Sequence, residues 1–290
     1  MNIQWYPGHM TKTKRMIAEN ISLVDIVIEL LDARIPLSSK NPSIDELAKN
    51  KFRIVLMNKS DLADPKVTEQ WCNYFNSLGH KVILTDSVSG KGINEITEAS
   101  KALMKEKVER LRARGRIFVP VRAMIVGIPN VGKSTLINKY VGRATTKTGD
   151  KPGVTKGKQW VKVKKDFELL DTPGILWPKF DDETVGLNLA FTGAINDQIM
   201  DRYTLSVKLI ERLLEIKPQS LEERYKINID NSMNSNEILE KIGEARGFRM
   251  KGGSIDLERT SNILLDEFRG LKLGRISLEH PPYINVSSME

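Results

Sequence analysis

The residues best suited to phosphate chemistry are Gly127-Ile128-Pro129-Asn130-Val131-Gly132-Lys133-Ser134. The spacing is G-x-x-x-x-G-K-S, a phosphate-binding P-loop. Two glycines let the backbone curl until its N–H groups point inward at a phosphate, and the start of a following helix adds partial positive charge. Lys133 is placed to reach the β- and γ-phosphates, and the Ser134 hydroxyl to ligate Mg²⁺. Asn130, Val131, Gly132, Lys133, Ser134 and Thr135 are therefore candidate nucleotide-binding residues.

Asn58-Lys59-Ser60-Asp61 is N-K-x-D, a pattern that reads guanine. The Asp61 carboxylate can accept from both N1–H and the exocyclic amine of guanine, a pair that adenine does not offer. Asn58 can hold the loop and meet the base edge, and the Lys59 stem can lie over the ring. Asp86 and Ser87 stand where a backbone N–H toward guanine O6 is expected, although Asp86-Ser87-Val88 is a poor match to S-A-K. Asp171-Thr172-Pro173-Gly174 is D-x-x-G. Asp171 is expected to hold a Mg²⁺-bound water, and the Gly174 N–H to meet the γ-phosphate. Thr155, in a Gly-, Thr- and Lys-rich stretch without periodicity, can close on Mg²⁺ and that phosphate. GTP with Mg²⁺ is the substrate these residues imply.

The elements that must position them are legible as apolar runs. Val24–Leu31, Phe52–Met57, Lys81–Thr85 and Val121–Val126 read as buried strands, and Gln159–Val163 with Phe167–Leu170 as a hairpin. Helices are expected from Met10 to about Asn20, near 43–50, and over Asp64–Ser77, Ile93–Arg114 and Ser134–Tyr140. From about Asp181 the pattern is helical throughout, near 183–196, 202–215, 219–226, 235–246 and 256–270. Leu205, Leu209, Ile210, Leu213 and Leu214 recur at helical spacing and read as core. The fold class is α/β: a P-loop GTPase domain over 1–180, then a small all-α domain over 181–290.

The motif order is unusual. The guanine readers precede the P-loop, the switch Thr155 and D-x-x-G, whereas ordinary GTPases begin at the P-loop. Cutting an ordinary chain after D-x-x-G and joining its old ends near residues 107–120 gives this circularly permuted order; nearby termini make such a rearrangement tolerable. Two consequences follow. The phosphate-sensing segment now leads into the helical domain, which nucleotide state can move as a lever. The new N-terminus, Trp5 to Met10, is expected near the γ-phosphate. Many GTPases orient the attacking water with a Gln after D-x-x-G, but here Ile175-Leu176-Trp177 follows. His9 is the candidate catalytic group in its place; capping the helix or touching RNA is the other reading.

Composition bounds the rest. A chain of 290 residues, 40% hydrophobic and 28% charged, suggests about two globular domains. No apolar run is long enough to span a bilayer, and the first residues lack signal-peptide shape. Cys72 is the only cysteine, so an intrachain disulfide is impossible and a cytoplasmic location is expected. The net charge of +8 is uneven: residues 101–170 hold 18 Lys/Arg against 5 Asp/Glu, and residues 185–290 hold 14 against 16. The first excess suggests a polyanion such as nucleic acid, with a solvated basic face as the alternative.

These motifs together resemble the circularly permuted ribosome-assembly GTPases of the YlqF/RbgA group. W-Y-P-G-H-M at the start, D-A-R-I-P after the first strand, N-K-S-D, G-I-P-N-V-G-K-S and D-T-P-G-I-L match it in order. The resemblance implies a factor in late maturation of the bacterial large ribosomal subunit. Its partners would be the precursor of that subunit and rRNA, with no membrane and no DNA, and a monomer is expected. It implies weak GTP hydrolysis stimulated by the immature particle, RNA contacts through the C-terminal domain, and the missing Gln's role for His9. Asn130 resembles a residue of GTPases helped by potassium; bracing the loop is its other reading. The C-terminal domain is slightly acidic, so a local patch such as Arg246, Arg249 and Lys251 is expected to touch RNA alongside basic residues of the GTPase half. The alternative function is a GTP-dependent protein-binding switch or scaffold.

Overall fold

Strands that are apolar along their whole length need cover on both faces, and the chain supplies it. The computed structural model describes residues 10–142, 159–171, 182–195, 201–230 and 232–282. One sheet is built from β1 (Ile26–Asp32), β2 (Phe52–Asn58), β3 (Lys81–Leu84), β4 (Val121–Gly127), β5 (Gln159–Lys164) and β6 (Phe167–Asp171). Their spatial order is β3-β2-β1-β4-β6-β5, with every neighbouring pair parallel except the β5–β6 hairpin. The helices are α1 (Met10–Ile21), α2 (Ser43–Leu47), α3 (Pro65–Ser77), α4 (Ile93–Ala113), α5 (Lys133–Val141), α6 (Glu183–Phe191), α7 (Arg202–Ile216), α8 (Gln219–Tyr225), α9 (Ser235–Ala245) and α10 (Leu257–Arg269).

Successive strand residues take opposite faces. Ile28, Leu30, Leu56 and Ile125 join Ile96 of α4 and Leu136 of α5 in one core, which continues into Leu189, Leu209 and Leu264 of the later helices. On the opposite face Val27, Met124 and Leu170 pack with Ile17 and Ile21 of α1. Beside them Leu31, Val55 and Met57 pack with Trp71 and Phe75 of α3. Strand β4, the P-loop strand, lies between β1 and β6, so a segment from well before it and one from after it in the sequence flank it. The permuted order is thus compatible with one ordinary sheet.

The helices begin on clear start signals. Asp64 accepts from the N–H groups of Lys66 and Val67 with Pro65 next in line, and Asn234 with Glu237 forms a capping box. The expected helix over 183–196 is shorter. It ends at Phe191, where Gly193 takes φ +73° and the Ala194 N–H returns to Leu189 O at 2.8 Å. Leu205, Leu209, Ile210 and Leu213 are fully buried as expected, whereas Leu214 is half-buried at the margin of the stripe. Of the expected RNA patch, Arg246 is half-buried, paired with Glu267 at 2.6 Å and lying over the Tyr225 ring at 5.2 Å, while Arg249 and Lys251 are exposed.

After α10 the chain returns across the GTPase half. The N–H groups of Ile276 and Leu278 donate to Leu62 O at 3.1 Å and Arg34 O at 2.8 Å. Trp71 Nε1 donates to Glu279 O at 3.1 Å, and Arg212 of α7 donates to Leu278 O at 2.6 Å. This strap ties α7 and α10 to the loop after β1 and to α3.

Candidate functional site

Parallel strands place their carboxyl ends along one edge, and ligands of such sheets sit in the crevice beyond it. Here β1 ends in Asp32, β2 in Asn58, β4 in Gly127 and β6 in Asp171. Asp32 pairs with Asn58 and Leu30 with Gly127 across the sheet, so motifs far apart in sequence share one edge.

Asn58 is the hub. It is 1% exposed. Its Nδ2 donates to Val131 O in the P-loop at 2.7 Å, and its Oδ1 accepts from the Ser87 N–H at 3.0 Å and the Ser87 hydroxyl at 2.7 Å. Three motif loops therefore meet on one amide. Gly132 packs against it with φ +101°, and a Cβ there would stand 2.4 Å from Asn58 Nδ2. The Ser87 N–H is thus engaged by Asn58, and the Asp86 N–H by Lys91 O at 3.1 Å. Sequence spacing suggested a backbone donor for guanine O6 at these two residues; their visible part is to brace Asn58 and their own turn. Ser60 likewise ties its loop to Thr85 O at 3.1 Å. Asp61 is half-buried, and among the described residues its carboxylate has no partner, which suits an acceptor for a base edge.

Lys59 adopts φ +57°, and its ammonium donates to Asn130 O at 3.1 Å and pairs with Asp32 at 3.0 Å. Arg34 grips the same carboxylate through Nε at 2.9 Å and Nη2 at 2.8 Å. Burial opposes the Asp32 charge, but Arg34 and Lys59 outweigh it and hold the carboxyl far below its usual range. Spacing alone gave Asp32 and Arg34 no role; D-A-R directly after a buried strand was the available signal. Asn130 Nδ2 donates to Gly193 O at 3.1 Å, beyond α6. Arg269 of α10 holds that corner through Phe191 O at 3.0 Å and Ala190 O at 2.8 Å. The later helices therefore touch the P-loop directly.

Lys133 lies under the P-loop, 6% exposed and ion-paired with Asp171 Oδ1 at 3.5 Å, and among the described residues its ammonium makes no hydrogen bond. A buried ammonium in that state is costly unless an anion completes it, and a phosphate would. Burial pushes Lys133 down to about 8, with Asp171 opposing the shift. A bound phosphate favours the ammonium, so binding takes up a proton once the empty site has lost it. Guanine-nucleotide affinity is expected to fall as pH rises above about 8, approaching tenfold per unit, measurable by calorimetric GDP titration.

The Ser134 hydroxyl at the start of α5 and the buried Asp171 carboxylate are hard oxygen donors of the kind Mg²⁺ takes one or two at a time, the rest being phosphate oxygens and water. When bound, Mg²⁺ neutralises charge developing on the phosphates. Thr135 follows on the same helical turn, partly buried. His9, Thr155 and Gly174 lie outside the described residues.

A phosphate cradle, a guanine-reading loop bolted to it, and a buried carboxylate beside its lysine define a P-loop GTPase in permuted order. The profile of the 50S ribosome-binding GTPase family matches residues 122–237. Ribosome biogenesis GTPase A of Bacillus cereus is 50% identical over 281 residues, covering 97% of this chain and 95% of that protein. The Thermotoga maritima protein of the same name is 36% identical over 290 residues, covering 99% and 98%. The GDP-bound structure of TM YlqF superposes with a TM-score of 0.64 at 29% identity, over 91% of this chain and 98% of that one. The chain belongs to the ribosome biogenesis GTPase A family. It is a GTP hydrolase of ribosome biogenesis, and among the described residues no helix is long and apolar enough to cross a membrane.

Proposed function

We propose that this GTPase acts in late maturation of the large ribosomal subunit. In the GTP state it binds the precursor particle through rRNA, and it leaves after hydrolysis that the particle stimulates. The two working units are residues 1–180 and 181–290, and the protein acts as a cytoplasmic monomer without DNA or membrane partners. The observation that carries the reading is the Asn58 hub, which locks guanine loop and phosphate loop into one site. The contact from Asn130 to Gly193 supports a helical unit that senses the loop. Potassium assistance belongs to the same proposal: with Nδ2 committed to Gly193, the Asn130 carbonyl oxygen is the atom a cation would take. Mg²⁺ would be held by Ser134 and Asp171, joined by Thr155, with the Gly174 N–H on the γ-phosphate.

The test is GTP turnover by the protein alone, with mature large subunits, and with particles from cells depleted of it. Turnover is expected to be highest with the immature particles; equal rates in all three would sink the assembly reading. His9 is proposed to position the attacking water. His9→Ala is expected to keep GTP affinity and lose about 100-fold of stimulated turnover. Unchanged stimulated turnover would refute that role.

A further inference from the structure

The sheet has a second charged edge, at the pole opposite the nucleotide loops. There the amino ends of β1 and β2 and the turn before β3 open two adjoining hollows. One has a volume of about 580 Å³ and is lined by Lys40, Lys49, Lys51, Arg53, Tyr74 and His80, among others. The second, of about 400 Å³, adds Phe52, Lys107 and Arg110. Lys51 lines both, so together they form one groove. Strand β2 runs from this groove to Asn58, a span of roughly 20 Å at the usual rise of a strand.

The groove is built for anions. Among the described residues, the carboxylates that line the two hollows are Asp45 and Asp25, with Glu29 buried behind Arg53. Ion pairs from Asp45 to Lys40 and Arg53, and from Asp25 to Lys107, fix the walls. The Lys51 ammonium donates to Val24 O at 2.7 Å. Lys49 and Arg110 are exposed, and among the described residues neither has an ion-pair partner. The Arg53 side chain is 8% exposed, yet among the described residues its Nε has no hydrogen-bond partner, a buried donor in the wall. Phe52, 45% exposed, lines the smaller hollow, and Tyr74 lines the larger one. From Arg110 the basic end of α4 continues outward through the exposed Arg112, Arg114 and Arg116. Flexible cations interleaved with aromatic faces suit a nucleic-acid strand, whose phosphates and bases need one of each. An acidic protein would use the cations and leave the rings idle.

We propose that this groove is an RNA-binding site: the phosphates of an RNA segment lie on Lys49 and Arg110, and a base stacks on Phe52. The proposal rests on the rRNA reading above. It goes further by assigning the GTPase half's RNA contact to one groove, at the end of the sheet away from the nucleotide loops.

The experiment is filter binding of a large-subunit rRNA transcript to the full-length protein over a salt series, with K49E/R110E, K49R/R110K, F52A and R249E/K251E as variants. K49E/R110E is expected to bind at least about tenfold more weakly at moderate salt, with a log–log salt slope smaller by about two. GDP affinity should stay unchanged, because the altered residues lie far from the nucleotide. K49R/R110K should retain binding, and F52A should weaken it about tenfold or less with the slope preserved. Wild-type binding by K49E/R110E, with R249E/K251E defective, would overturn the groove and leave the rRNA reading standing. No transcript binding by the wild type would overturn both. Loss of particle co-sedimentation by K49E/R110E with transcript binding intact would give the groove to a ribosomal protein, and so reject the RNA assignment.

Discussion

Gly132→Ala is expected to weaken GDP and GTP binding by about 100-fold while the protein remains folded. Two terms add. Gly132 sits at φ +101°, where an L side chain is strained. The new Cβ would also meet Asn58 Nδ2 at 2.4 Å. That amide is no flexible tip, since it is buried and held by Val131, Thr85 and Ser87. Relief requires breaking the Asn58–Val131 bond, which leaves a polar group unsatisfied at a cost of about 1–3 kcal/mol. With strain of about 1 kcal/mol, the sum is near 3 kcal/mol, or roughly two decades in affinity. Asn58→Asp should act in the same direction, because a carboxylate keeps Ser87 but faces the Val131 carbonyl without a donor. Calorimetric titration decides. Wild-type affinity in both variants would mean that the cradle does not depend on the guanine loop.

Glu279→Ala is expected to have the largest effect on stability. The carboxylate accepts from the Leu37 N–H at 2.8 Å, the Ser38 N–H at 3.0 Å, the Ser38 hydroxyl, and Asn188 Nδ2 at 3.1 Å. It joins the strap, the loop after β1 and α6 at one point. Removing it strands several donors at once, so a loss of about 3 kcal/mol follows, equivalent to roughly 5 °C in melting temperature for a chain of this size. Glu279→Gln keeps one acceptor and should fall between. Burial raises the Glu279 pKa above its ordinary 4.5, with Ser38, Leu37 and Asn188 opposing. The folded state therefore holds a proton that the unfolded state has released, and this contribution to stability falls as pH rises from 4.5 through the folded pKa. The wild type should gain on Glu279→Gln as pH is lowered from 7 toward 4.5. Scanning calorimetry of the three proteins checks both points; indistinguishable melting of wild type and Glu279→Ala would show that the strap is not held there.

Local pattern determined much of this protein. Apolar runs marked the strands, because a residue buried on either face must be apolar wherever it points. Glycine and lysine spacing marked the cradle, because phosphate is bound mainly by backbone shape. N-K-x-D and D-x-x-G stand out for a different reason, the side-chain chemistry expected of their carboxylates toward guanine and Mg²⁺, and together these motifs revealed the permuted order.

Only the tertiary structure decided how the pieces work on each other. Asn58 braces a carbonyl 73 positions away, and Glu279 reaches Ser38 across 241. Such contacts depend on which surfaces meet after folding, and no local spacing encodes that. The same holds for Arg246, whose pairing with Glu267 and place over the Tyr225 ring no local spacing foretells. The groove at Lys49 and Arg110 was hidden likewise: its cations are spread through the first 110 residues, and only the sheet's shared edge gathers them.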